Sequence, residues 1–272
     1  MSYYNPGLTS RELALLAVLD RQRSNRVTVA QANALVGANA GVLLASLARK
    51  RVLDRVGRGI YLTRPLRAIG RPWSISAIAA VELALSDQPH YIGGLAALTI
   101  HRLTEQLNSS VVDVFISGRR RARSLANANV RFHSTPASEI AIGSSIVMIE
   151  RVAVHVSDPE RTILDALNHP SAFGGSVLGL RVVDRAIDRI DLPKLVTYAL
   201  QLSPTSTLQR LGVLLQRRDA DDDQQDRIWV AIQGTRNLPA MIPGPRRGRF
   251  NSRWRIFEND ESENDGRPSA AT

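Results

Sequence analysis

The chain has 272 residues, 44% of them hydrophobic, with no cysteine and a formal net charge of +10. That length exceeds one typical domain and that apolar content suffices for packed cores, which excludes a disordered chain. The absence of cysteine excludes a disulfide framework and a thiolate zinc site, and nothing calls for an oxidising compartment.

The charge is unevenly spread. Residues 1–72 carry twelve basic side chains against Glu12, Asp20 and Asp54, a net +9, whereas the other 200 residues carry 23 basic and 22 acidic side chains. A cation cluster on one small domain raises the local potential that attracts phosphate polyanions, so nucleic acid is the leading partner. The N-terminus has no basic start before an apolar core, and no uninterrupted apolar stretch has membrane-spanning length, so a cytoplasmic protein with no membrane contact is expected.

In chain order, Thr9 and Glu12 have capping-box spacing and open a helix over 9–22, with Leu13, Leu16 and Leu19 on one face. Thr28 and Gln31 repeat that spacing before a short second helix, which Gly37 ends. Asn39 is expected to cap a third helix through Lys50, with Leu43, Leu44 and Leu47 inward and Ser46, Arg49 and Lys50 outward. Residues 52–56 and 60–62 read as two strands joined by a Gly57-Arg58-Gly59 turn. Three helices and a hairpin make a winged helix-turn-helix, which places the third helix in the major groove of duplex DNA. Asn39, Ser46, Arg49, Lys50 and Arg51 are the candidate base or phosphate contacts, and Arg55 and Arg58 the candidate contacts from the wing. The Gly57-Arg-Gly59 segment lacks the six-residue dinucleotide pattern and is no nucleotide site.

Arg64-Pro65 to Arg71-Pro72 has prolines, cations and no period, and reads as a linker. Beyond it, helices are expected at 74–86 and 94–103, strands at 91–92, 111–117, 129–133, 146–150 and 152–156, and a helix opened by a Ser157/Glu160 capping box. Further helices are expected at 178–190, 192–201 and 205–217. The polar, acidic tail from Glu258 is expected to be disordered. The fold class is therefore α+β: a winged helix-turn-helix over 1–66, a linker over 67–73, a larger mixed α/β domain over 74–257, and a tail over 258–272.

No enzyme chemistry stands out. His90, His101, His133, His155 and His169 have no metal-ligand spacing, and Asp219, Asp221 and Asp223 resemble a calcium loop but lack its glycine and bidentate glutamate, leaving a solvated acidic loop. Glu160, Arg161 and Asp165 read as a helix cap beside an i,i+4 ion pair, since no nucleophile or histidine is spaced to join them. No catalytic residue, metal or cofactor is expected.

GRGIYLTRP (57–65), YIGGLAALTIHRL (91–103), VSDPERTILDAL (156–167), LQRLGVLLQRR (208–218) and RWRIFEND (253–260) together make the chain resemble the AbiEi-type antitoxins of bacterial toxin–antitoxin systems. The resemblance implies a repressor that binds inverted repeats in its own promoter, and a C-terminal domain that counteracts a cognate nucleotidyltransferase toxin. Composition and periodicity reach only the DNA-binding half. The alternative is a stand-alone winged-helix transcription factor whose second domain senses a ligand or a protein.

Overall fold

Local sequence signals build the first unit. The computed structural model describes residues 7–22, 26–64, 75–104, 111–125, 128–150 and 152–260. At Thr9 the side chain accepts from the Glu12 amide at 3.3 Å while the Glu12 carboxylate accepts from the Thr9 amide at 2.7 Å, and α1 (Ser10–Arg21) follows. β1 (Arg26–Thr28) leads directly into α2 (Val29–Val36), which Thr28 and Gln31 cap in the same reciprocal way. After a turn at Gly37, with φ of 84°, comes α3 (Ala40–Arg49), and the chain bends by 114° between the two helices. β2 (Leu53–Gly57) and β3 (Ile60–Thr63) complete a three-stranded antiparallel sheet in the order β1-β3-β2, with Gly59 at φ 73° in the turn. Leu15, Leu19, Leu44, Leu47, Leu53 and Tyr61 anchor its core.

One cap differs from expectation. Asn39 makes no side-chain cap hydrogen bond; it adopts a left-handed backbone, φ 73°, and the Ala40 amide is instead met by the Asn33 side chain at 3.0 Å. The left-handed backbone, which asparagine tolerates better than most residues, departs from the extended conformation in which a capping side chain accepts from the helix amides.

The second unit is built on a six-stranded mixed sheet. α4 (Ala77–Leu85) precedes β4 (His90–Gly93), α5 (Gly94–Ile100), β5 (Val111–Ile116), β6 (Arg123–Leu125), β7 (Ala128–Ser134), β8 (Ser144–Ile149) and β9 (Val152–Ser157). The strand order is β6-β7-β5-β4-β9-β8, with β5–β7 and β4–β9 parallel and the other pairs antiparallel. Strand alternation divides the side chains between two cores. Ile92, Val114, Val130 and Val154 pack with α4, while Tyr91 and Phe115 face a helical layer. That layer comprises α6 (Pro159–Asn168), α7 (Ser176–Ala186), α8 (Leu192–Leu202), α9 (Thr205–Arg217) and α10 (Asp222–Ile232), closed by a hairpin of β10 (Arg249–Asn251) and β11 (Ile256–Glu258). The chain is thus mixed α and β, in keeping with the α+β class.

Three further expectations are corrected. The cap of α6 is Asp158, not Ser157; its side chain accepts from the Arg161 amide at 2.8 Å, while the Ser157 hydroxyl meets Thr162 at 2.7 Å. The acidic run at 219–226 is not a loop throughout, since Asp221 caps α10 and Asp222 and Asp223 occupy its first turn, where the helix dipole favours carboxylates. Glu258 is ordered and buried in β11, with its carboxylate 2.7 Å from Arg217. Residues 261–272 of the expected tail, and the whole of the expected 67–73 linker, lie outside the described residues.

The C-terminal hairpin is fixed by complementary packing. Gln209, fully buried, donates from Nε2 to the carbonyls of Asn237, Trp254 and Arg255 at 3.0–3.1 Å, and Trp254 donates to Gln216 at 2.6 Å. Gly212 leaves the space that the indole fills, because a Cβ there would lie 2.2 Å from Trp254 Cε3. Gly212→Ala is therefore expected to lower stability by about 1–3 kcal/mol, as overpacking of a fixed core does. A denaturant midpoint equal to that of the wild type would show that Trp254 is not seated against α9.

Candidate nucleic-acid interface

The sequence places cations in the first unit, and the fold decides which of them remain available. Glu12 is buried, 1% exposed, yet ionised. Lys50 Nζ lies 2.7 and 2.9 Å from its two carboxylate oxygens and also donates to the Gly7 carbonyl at 2.9 Å. Burial alone would raise the Glu12 pKa, but the bonds from Lys50, the Thr9 amide and Ser46 outweigh it and hold the carboxyl at about 2. Ser46 and Lys50, expected on the outer face of α3, are thereby engaged with Glu12. Asp54 is likewise occupied, paired with Arg64 at 2.6 Å.

Arg49, Arg51, Arg55 and Arg58 are all exposed, and none forms an ion pair among the described residues. Arg49 stands in the last turn of α3, and Arg51, at φ 53°, closes the turn that follows it. Arg55 Nε donates to the Gly57 carbonyl at 3.3 Å, and Arg58 sits at the tip of the β2–β3 turn. Along α3 the outward residues are Val42, which is 67% exposed, Ala45 and Arg49, with Asn39 exposed at its start. A helix that presents small and apolar groups centrally and a guanidinium at its end is narrow enough to enter a groove, and offers a bidentate donor there.

A second cluster of ionisable groups lies between the six-stranded sheet and the helical layer. Asp113, 1% exposed, accepts from Arg131 Nε at 2.6 Å and from His133 Nε2 at 2.7 Å. Tyr91 stacks on Phe115, and Phe115 on His133, with ring centroids 4.8 Å apart in each pair, and His169 meets Phe115 edge-on at 5.2 Å. Burial, then the charges of His133 and Arg161, push the His169 pKa down to about 4, so the ring is neutral near pH 7. Gly94 supplies the close approach here: a Cβ on it would lie 2.8 Å from the Ala172 carbonyl and 3.0 Å from Asp113. Every polar group named has a protein partner or an aromatic neighbour, and the site is packed. Periodicity could not show this cluster, because its members come from β4, β5, β7 and the turn after α6.

The expected i,i+4 pair of Arg161 and Asp165 is present and buried: Arg161 Nε lies 3.0 Å from Asp165 Oδ1, and both side chains are almost wholly enclosed. Glu160 does not cap its helix but accepts from Lys194 at 2.8 Å and from the Asp191 amide at 3.1 Å. Among the described residues no group of three His, Cys, Asp or Glu side chains is arranged to hold a metal, and no single helix is long and apolar enough to cross a membrane.

No protein-family model and no curated protein matches the chain. Its fold does have a counterpart. The crystal structure of the Rv2827c protein from Mycobacterium tuberculosis is similar, with a TM-score of 0.66 over 93% of this chain and 92% of that one. The identity is 12%, so the likeness is one of fold.

The Glu12 site yields a pH test. Its folded pKa lies below the value of 4.5 for the free side chain, so the stability it contributes is complete above about 4.5 and is lost as pH falls toward 2. Lys50→Met is expected to reduce stability at pH 7 and to flatten that acid-side dependence, as read from thermal midpoints between pH 2 and 6. An unchanged pH profile would contradict the pairing.

Proposed function

We propose that residues 7–64 are a winged helix-turn-helix that binds duplex DNA, and that the chain acts as an autorepressing antitoxin. One observation carries the DNA half: two of the three acidic residues in this unit are tied to Lys50 and Arg64, while Arg49, Arg51, Arg55 and Arg58 stand exposed along α3 and the β2–β3 turn. The helix order, the 114° bend between α2 and α3 and the β1-β3-β2 sheet suit α3 as the groove-reading helix and the β2–β3 hairpin as the wing. Asn39 and Arg49 reach base edges, whereas Arg51, Arg55 and Arg58 meet flanking phosphates. Ser46 and Lys50 support the surface from behind.

The antitoxin half rests on the resemblance. The segments that carry it hold the second unit together: Tyr91, Arg161 and Asp165 share one buried network, and Gln209 and Trp254 share another. In that reading the second unit counteracts the cognate nucleotidyltransferase toxin, with or without direct contact.

If about six phosphates are neutralised, log affinity of the full chain for promoter DNA should fall against log salt with a slope near −5. Arg49→Ala should cost about 1–3 kcal/mol and relax sequence preference, whereas Arg58→Ala should weaken all sequences alike. In co-expression with the cognate nucleotidyltransferase toxin, both variants should still protect the cells while losing promoter repression. Failure of the wild type to bind any duplex would overturn the DNA reading. Binding and repression without protection would leave a stand-alone regulator.

A further inference from the structure

Arg119, Arg120 and Arg121 form a run of three exposed guanidinium groups between β5 and β6, and none makes an ion pair or a side-chain hydrogen bond among the described residues. Elsewhere in the second unit many arginines are committed: Arg131 to Asp113, Arg161 to Asp165, Arg217 to Glu258 and Asp260, Arg218 to Asp184 and Asp188. Three uncompensated cations in one short loop, with no structural use, mark a surface for a polyanion.

The location of this loop names the polyanion. β6, which the loop enters, packs against the proposed wing: a Cβ added to Gly57 would lie 3.7 Å from Leu125 Cδ1, and Val56, Leu62 and Leu125 share one apolar cluster with α4. Arg26, at the start of β1, pairs with Asp87 just beyond α4. The first unit is therefore docked on the second along the edge where this loop lies. Arg121 and Arg119 are four and six residues before Leu125, which bounds their distance at about 14 and 21 Å of extended chain. Both lengths are below one turn of duplex, about 34 Å.

Resting on the DNA reading above, we propose that Arg119, Arg120 and Arg121 are a second DNA-backbone contact, contiguous with the wing, so that bound duplex crosses both units. The contact is to phosphates on the wing side of the half-site. It carries no base information, because three solvated guanidinium groups on a loop grip the backbone of any sequence. Its role is to lengthen the footprint and to fix how the second unit sits beside the DNA.

The test compares full-length wild type with three variants on mixed-sequence and promoter duplexes, by salt-dependent binding and hydroxyl-radical footprinting. One combines Arg119→Ala, Arg120→Ala and Arg121→Ala. A second combines Arg246→Ala, Arg247→Ala and Arg249→Ala, which are equally exposed but lie in and before the C-terminal hairpin. The third is Arg49→Ala. The first triple variant is expected to reduce the salt slope by about 2–3, to weaken mixed and promoter DNA by the same factor, and to shorten the footprint on the wing side, with an unchanged thermal midpoint. The second triple variant should keep the full footprint. Equal effects from the two triples would mean a general charge effect and would overturn the proposal. A normal slope and footprint in the first triple, with Arg49→Ala impaired, would overturn it while leaving the DNA reading intact. Absence of binding by the wild type would overturn both.

Discussion

The second unit depends on a buried guanidinium. Arg161 spends its donors on Asp165, on the Tyr91 hydroxyl and on the carbonyls of Glu139 and Ile142, and Tyr91 in turn donates to Asp165 at 2.9 Å. One side chain thus joins α6, β4 and the 139–142 turn. A buried ion pair of this kind is costly to desolvate and weak evidence of stability in itself, but loss of one partner leaves an uncompensated charge, at about 3–5 kcal/mol. Burial also keeps the Tyr91 phenol protonated, well above its usual range, so it remains a donor at any working pH. Around this point Tyr91 and Phe115 on the sheet meet Ile163, Leu164 and Leu167 on α6, so the polar network fixes the register in which two apolar layers close.

The same logic acts on a smaller scale in the first unit. Glu12 begins α1 as a cap partner and ends as the anchor for Lys50 beyond α3, so a helix start and a helix end are tied through one carboxylate. This commitment sorts the cations. Lys50 becomes part of the scaffold, and the arginines at 49, 51, 55 and 58 remain exposed, as the proposed DNA-binding face requires. Docking of the β2–β3 hairpin through Val56 and Leu62 onto α4 then fixes that face relative to the six-stranded sheet.

Local signals were legible in the sequence. The caps at Thr9/Glu12 and Thr28/Gln31 lie within one helical turn, and their spacing located two helices almost to the residue. The long strands β5, β7 and β9 showed their alternation, and Gly59 marked the hairpin turn. Four kinds of feature were not legible. Where two capping residues are adjacent, as at Ser157 and Asp158, spacing alone does not choose, and the carboxylate prevailed. Strands of three residues, β1, β6, β10 and β11, are too short for a period, and the partner of β1 lies more than thirty residues away in β3. The role of Lys50 required Glu12, 38 residues away, and the buried state of Arg161 required Tyr91, 70 residues away. The acidic start of α10 looked like a solvated loop because its helix-favouring placement depends on where the N-terminus falls.

The central claim is that α3 and the β2–β3 turn are the surface that meets DNA. Hydrogen–deuterium exchange of the full-length chain, with and without duplex DNA, tests it most directly. Slower exchange on DNA addition across residues 39–51 and 55–59, with the C-terminal hairpin at 249–258 unchanged, is the expected result. Protection confined to the second unit, with 39–59 exchanging as in the free protein, would contradict it.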